Sequence, residues 1–251
     1  MANQVPGTQS FSRSIGLLQH ICDRATPPNL QNLLEECAFT RPTLYRLLAG
    51  LEAENLITQT RDKRFKPGVR LINMARTALT QSDIRDISRE ALIKLRNQTR
   101  ETVHLAVPSG EGLVYIEKIE SLETVRMSST IGTFVPLHSS GVGKAYLSAL
   151  PEDDLAAFLR DADLRPITRF TTTDASRLRT QIMTCRMQGF IFDNQENEEG
   201  IACFGAAILD DQLRPIGAIS VSVPLFRLNE DESHYSAPLL ECVRGLSGGI
   251  G

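Results

Sequence analysis

Residues 41–71, RPTLYRLLAGLEAENLITQTRDKRFKPGVRL, contain a change of period. From Arg41 to Asn55 the apolar residues Leu44, Leu47, Leu48 and Leu51 recur every three or four positions, the spacing of one helix face. Thr40 suits the N-cap, and Pro42 is tolerated in a first turn. After Asn55 the pattern turns short, β-branched and alternating: LITQT, the polar residues Arg61 to Arg64, then FKPGVRL. This predicts a β-hairpin with a basic tip. Upstream, FSRSIGLLQHIC places Phe11, Ile15, Leu18 and Cys22 in a helical stripe; TPPN breaks the chain, and Asn29 is positioned to cap a short second helix, LQNLLEECA. Three helices followed by a hairpin is the order of a winged helix-turn-helix, in which the third helix enters the major groove of DNA and the hairpin tip meets the backbone or minor groove.

The side chains suit that geometry. Arg41, Thr43, Tyr45 and Arg46 lie on the first two turns of the third helix, within reach of base edges and phosphates, while the leucines face inward. Arg61, Lys63 and Arg64 charge the tip, as phosphate contact requires. Each has a plainer reading, since a lone exposed arginine often only solubilises a helix and Tyr45 suits a core edge; the reading rests on their combination.

Net charge supports it. The chain has 251 residues and a formal charge of −3, but residues 1–80 carry 10 Lys/Arg against 6 Asp/Glu and residues 81–251 carry 17 against 24. A basic segment joined to an acidic body predicts an anionic polymer as partner for the first part only. At roughly 150 residues per domain the length suits two domains. The composition, 41% hydrophobic and 23% charged, excludes wholesale disorder. No apolar run approaches the roughly 18 residues that span a bilayer, and the first residues lack the basic and apolar regions of a leader, so a cytoplasmic location and no membrane partner are expected. Five scattered cysteines without a CxxC pair predict free thiols, and four scattered histidines give no metal-ligand spacing; no cofactor is expected.

Residues 69–82 read as a linker helix, with Leu71, Met74, Ala75 and Ala78 as an apolar strip suited either to its copy in a dimer or to its own chain. From residue 83 the pattern is mixed: a helix over 83–99, strands over 101–108, 113–121 and 124–130, a Ser/Gly turn leading into a helix over 136–149, helices at 152–160 and 174–187, and strands at 189–193, 202–209 and 214–223. The fold class expected is α+β, an antiparallel sheet with helices packed on it.

RPTLYRLLAGLEAENLI, ETVHLAV, PLHSSGVGKAYL, GFIFDNQENEEGIACFGAAI and ISVSVP, in that order, resemble the IclR family of bacterial transcriptional regulators over nearly the whole chain. The resemblance implies a winged helix-turn-helix over 1–68, a linker helix over 69–82, and a GAF-like effector-binding domain over 83–251. It implies a non-enzymatic repressor whose affinity for a palindromic double-stranded DNA operator is set by a small organic acid, acting as a homodimer or tetramer. The chain departs from the usual pattern at Ser139-Ser140 and near Ala207.

An effector site is expected where Ser139, Ser140, Gly141, Val142 and Gly143 lead into a helix, because the free N–H groups of a helix N-terminus bind a carboxylate and small residues allow close approach. The resemblance adds Asp193, Cys203, Ser220 and Ser222; the two serines share one face of a strand. A phosphate loop is excluded, since GVGKAY lacks the upstream glycine and has Ala145 where Ser or Thr would bind magnesium. Two other classes compete: a sensor whose helical head binds protein, and a hydrolase built from Ser139 or Ser140, His138 or His104, and Asp193. The hydrolase lacks a GxSxG elbow.

Overall fold

The change of period at Asn55 is realised as a helical trio followed by a hairpin in the computed structural model, which describes residues 7–80, 83–125 and 127–247. The ends of both predicted domains, 1–6 and 248–251, and residues 81 and 82 of the predicted linker lie outside the described residues. The chain divides into two units, residues 1–81 and 82–251.

In the first unit, α1 (Gln9–Cys22), α2 (Leu30–Glu36) and α3 (Arg41–Ala53) enclose a core of Leu17, Ile21, Leu33, Leu44, Leu48 and Leu51, closed by Ile57 and Phe65 of the hairpin. Asn29 caps α2 reciprocally: its Oδ1 accepts from the Asn32 N–H at 2.9 Å, and Asn32 Oδ1 accepts from the Asn29 N–H at 3.1 Å. Thr40 occupies the cap position of α3, yet its hydroxyl donates to Thr43 Oγ1 at 2.9 Å rather than accepting from the helix backbone. Strands β1 (Ile57–Gln59) and β2 (Phe65–Pro67) pair antiparallel from Ile57↔Pro67 to Gln59↔Phe65. β2 stops at Pro67, short of the predicted Leu71, because Gly68 turns against the backbone of Asn55 and Leu56, where a side chain would collide, and α4 (Val69–Thr80) begins at once. Leu71 packs against the core of this unit, whereas residues 72–78 are exposed.

The second unit is a six-stranded antiparallel sheet in the order β5-β4-β3-β8-β7-β6, made by β3 (Thr102–Ser109), β4 (Gly112–Ile119), β5 (Phe134–Pro136), β6 (Ile191–Asn194), β7 (Ile201–Leu209) and β8 (Pro215–Pro224). Successive residues of a strand point to opposite faces. On β7, Phe204 stacks on Tyr235 of α9 (Ser233–Leu246), while Cys203 meets Gly141 of α6 (Gly141–Ala149). Helices α9 and α5 (Asp83–Thr99) therefore cover one face, and α6 lies on the other with α7 (Glu152–Asp161) and α8 (Ala175–Gln188), joined by Leu147, Leu155, Leu178 and Ile182. The mixed architecture is α+β.

Two differences from the sequence reading have local causes. Of the strand expected over 124–130, residue 126 lies outside the described residues and the others form no strand: Lys118 Nζ donates to the carbonyls of Met127 and Ser129 at 2.8 and 2.7 Å, drawing the segment over the sheet, and the pairing passes to β5. No element was expected after residue 223, where α9 forms with Pro238 inside it. Burial of Tyr235, Leu239 and Val243 against the sheet outweighs the lost backbone bond.

Candidate functional site

The first unit presents the residues expected at DNA on its surface. Arg41, Tyr45 and Arg46 are exposed on α3 opposite Leu44, Leu47 and Leu48, and Thr43 is half-buried. At the hairpin tip Arg61 and Lys63 are exposed, with Lys63 in the left-handed region at φ 56°. Arg64 is placed differently. Its Nη1 donates to the Pro27 carbonyl at 2.9 Å and its Nε lies 2.9 Å from Asp62 Oδ2, so its guanidinium ties the hairpin to the loop before α2.

In the second unit a cavity of about 260 Å³ opens on the α6 side of the sheet. Its floor is a row of side chains from five adjacent strands: Tyr115 on β4, His104 on β3, Ser222 on β8, Cys203 on β7 and Asp193 on β6. Met127, Ser128, Ser129, Thr133 and Phe134 wall the β4 end, and Asn197, Glu198 and Ile201 the β6 end. Of the residues expected at an effector, Asp193, Cys203 and Ser222 line this cavity. Ser139, Ser140, Gly141, Val142, Gly143 and Ser220 are buried outside its lining.

The placement of the Ser139–Gly143 turn has a physical reason. The N-terminus of α6 is partly satisfied from within: Ser140 Oγ accepts from the Gly143 N–H at 3.0 Å and donates to the Pro136 carbonyl at 2.7 Å, and Asp193, which accepts from the Glu196 N–H at 2.9 Å, sits close enough to the Gly141 N–H for that dipole to pull its carboxyl pKa down. The glycines let the helix press onto its neighbours. A methyl group on Gly205 would fall on the Gly141 carbonyl, and one on Gly143 would meet the carbonyls of Pro136 and Leu137. The small residues read as room for a ligand are filled by helix–sheet contact. Lys144, fully buried, pairs with Glu196, which also accepts from the Thr172 N–H at 2.8 Å and from Gln181 Nε2 at 3.1 Å.

The electrostatics of the floor follow from burial. Desolvation pushes the Asp193 carboxyl up to about 7 against the opposing pull of Lys144 and the two N–H donors. Burial, aided by the Lys118 charge, lowers the His104 imidazole to about 3, so the ring is neutral. Burial also raises the thiol of Cys203 and the phenol of Tyr115. His104 bridges two hydroxyls, with Nε2 at 2.7 Å from Ser129 Oγ and Nδ1 at 3.3 Å from Ser222 Oγ, and it stacks on Tyr115 with centroids 4.4 Å apart.

Sequence reasoning reached His104 only as an imagined catalytic base and did not reach Ser129, Asn197 or Glu198. A buried polar residue at alternate register with Ala106 in an apolar strand was the available signal for His104. The hydrolase constellation does not assemble: His138 Nε2 bonds the Arg165 carbonyl at 2.9 Å, and Ser139 Oγ donates to Asn197 Oδ1 at 3.3 Å. Among the described residues no group of three His, Cys, Asp or Glu side chains is placed to hold a metal ion, and no helix is long and apolar enough to cross a membrane.

A family model described as the bacterial transcriptional regulator IclR C-terminal domain matches residues 76–248. The HTH-type transcriptional repressor AllR of Salmonella paratyphi A is 30% identical over 226 residues, covering 90% of this chain and 83% of that protein. The crystal structure of Thermotoga maritima IclR superposes with a TM-score of 0.71 at 30% identity, over 94% of this chain and 96% of that one. An IclR homologue from Microbacterium hydrocarbonoxydans, crystallised with 4-hydroxybenzoate, shares the fold with a TM-score of 0.76 at 20% identity, over 95% of this chain and 97% of that one. A winged helical head, a sheet-floored cavity in the second unit, and matches that run through both place the chain in one lineage: it belongs to the IclR family of bacterial transcriptional regulators.

Proposed function

We propose that this regulator represses transcription by binding a palindromic operator as a dimer, or as a tetramer built from dimers, and that a small organic acid seated on the floor of the second unit's sheet changes that binding. The single observation that carries the reading is that one chain joins a basic helical head, with Arg41, Tyr45 and Arg46 outward on α3, to a cavity floored by hydrogen-bonding groups. The naming of relatives such as AllR as repressors and the 4-hydroxybenzoate held by the Microbacterium homologue agree with it. Self-association is supported by apolar residues left outside the first unit's core, Phe11 and Ile15 on α1 and Val69, Ile72 and Met74 on α4.

Binding rather than catalysis is the role the cavity favours. Ser129 lies 2.7 Å from His104, the distance of a nucleophile and its base, but an imidazole held near pKa 3 is too weak a base to take a hydroxyl proton at neutral pH. Its other nitrogen meets a serine and not a carboxylate.

The test is selection of binding sites by the full-length chain from random DNA duplexes. A two-fold symmetric consensus is expected, with half-sites separated by about one helical turn or a multiple, near 34 Å per turn, and with affinity falling steeply as salt rises. Recovery of no consensus, or binding indifferent to salt, would favour a head that binds protein.

A further inference from the structure

Three side chains of the floor, Cys203, Ser222 and His104, form a chain of hydrogen bonds that ends on Ser129 of the wall, and donor accounting gives it a direction. Cys203 Sγ donates to Ser222 Oγ at 3.3 Å. The Ser222 hydroxyl, itself buried, still has a proton to place, and His104 Nδ1 lies 3.3 Å away. If Nδ1 accepts that proton, the single proton of the neutral ring sits on Nε2 and is donated to Ser129 Oγ at 2.7 Å. The hydroxyl proton of Ser129 then points onward into the cavity. In the opposite tautomer Nδ1–H would donate to the Ser222 oxygen, the Ser222 proton would have to turn to the weakly accepting Cys203 sulfur or into the cavity, and only lone pairs of Ser129 would face the ligand.

The surroundings share this polarity. Lys118 Nζ, bonded to the carbonyls of Met127 and Ser129 and paired with Glu120 at 3.2 Å, turns its ammonium donors towards the Ser129 segment. The opposite end carries the carboxyls of Asp193 and Glu198. Three strands lie between those of Tyr115 and Asp193, which puts the two ends four interstrand spacings apart, about 19 Å at the usual spacing.

We propose that His104 is a positioning residue of this site: held in its Nε2–H tautomer by Ser222, it commits the Ser129 hydroxyl as a donor, so that the effector lays a carboxylate or carbonyl oxygen at Ser129 and a hydroxyl at the Asp193–Glu198 end. The occupant is thereby narrowed from small acids in general to acids that carry a hydroxyl on the side remote from the acidic group. This rests on the effector reading of the cavity, but the tautomer does not.

The tautomer is read from long-range proton–nitrogen NMR spectra of the full-length protein labelled with ¹⁵N-histidine. His104 is expected as the Nε2–H form, unchanged from pH 8 to pH 5, and as a mixture of tautomers in Ser222→Ala. An Nδ1–H ring in the wild type, or a ring that protonates near pH 6, would overturn the relay. Binding of 4-hydroxybenzoate and benzoate is then measured by calorimetry for the wild type, His104→Phe, Ser129→Ala and the double variant, with melting temperatures checked alongside. Each single change should weaken 4-hydroxybenzoate about tenfold, and the double change should be no weaker than the worse single, because His104 acts only by orienting the donor that Ser129→Ala removes. Benzoate, lacking the hydroxyl, should bind less tightly than 4-hydroxybenzoate and lose affinity in the same variants. Additive losses, or equal affinity for the two acids, would overturn the positioning role. If neither acid binds the wild type, the effector reading fails for both, and the tautomer still decides the relay.

Discussion

Asp193 and His104 stand three strands apart on one floor and respond to burial in opposite senses. The Asp193 carboxyl titrates at about 7 in the folded protein against an ordinary 3.8, so between those values the native state holds a proton that the unfolded state has lost. Its contribution to stability is complete below about pH 4 and is lost as pH rises through 7. Asp193→Asn should remove that slope while leaving an oxygen to accept from Gly141 and Glu196, so the variant should gain on the wild type between pH 5 and pH 8 in urea unfolding. A constant gap across that range would show the carboxyl to be ionised throughout. For His104, lowered from 6.5 to about 3, the sign reverses: its contribution is present above 6.5 and is lost as pH falls towards 3. His104→Phe should therefore be favoured relative to the wild type as the solution is acidified. Asp193, Cys203 and Ser222 were legible in the sequence through the motifs around them. Their partners were not, because His104 meets Ser222 across 118 positions and no local spacing records such a contact.

The first turn of α6 shows why an element's role is harder to read than its existence. Its start was legible, since PLHSSGVGKAYL moves from turn residues into a helical pattern, and Ser140 is the N-cap. The function expected of the turn draws on its N–H groups being free, and the Gly143 N–H is taken by Ser140, while Asp193, from a strand about fifty residues later, lies beside Gly141. The glycines test the packing account. Gly143→Ala should destabilise the protein by several kcal/mol or prevent folding, because the new methyl group meets the backbone carbonyls of Pro136 and Leu137, which cannot step aside as a flexible side chain would. Gly50→Ala on α3, where nothing lies within 4 Å, should stabilise by about 0.5–1 kcal/mol. Thermal unfolding of both variants checks this, and a mild effect at Gly143 would reopen the turn as a ligand site. The hidden α9 has the same lesson in reverse: Pro238 is a local penalty, and only the sheet beneath the helix, which no window of sequence contains, repays it.

At the scale of the whole molecule the division of charge was legible from counting alone, and the structure adds which of the cations are exposed. Arg46→Ala should weaken operator binding by about 1–3 kcal/mol and relax preference at one base position, if it reads a base edge. Lys63→Ala should weaken all sequences alike and reduce the slope of log affinity against log salt by about 1. Arg64→Ala should act mainly on the stability of the first unit, because its guanidinium is engaged by Pro27 and Asp62; gel shifts over a salt series, beside thermal melts, separate the three outcomes. Whether those cations reach two half-sites together depends on self-association. Ile72 and Val69 are each about two-thirds exposed on α4, a helix that commits Leu71 to its own core, and a palindromic operator binds two copies with one site's linkage between them. Ile72→Glu places a charge in that apolar strip at a residue that belongs neither to the cavity lining nor to α3. It should shift the chain towards monomers in sedimentation, steepen the dependence of operator binding on protein concentration, and leave acid binding within about twofold of the wild type. A dimer of unchanged strength in Ile72→Glu would move the interface off α4.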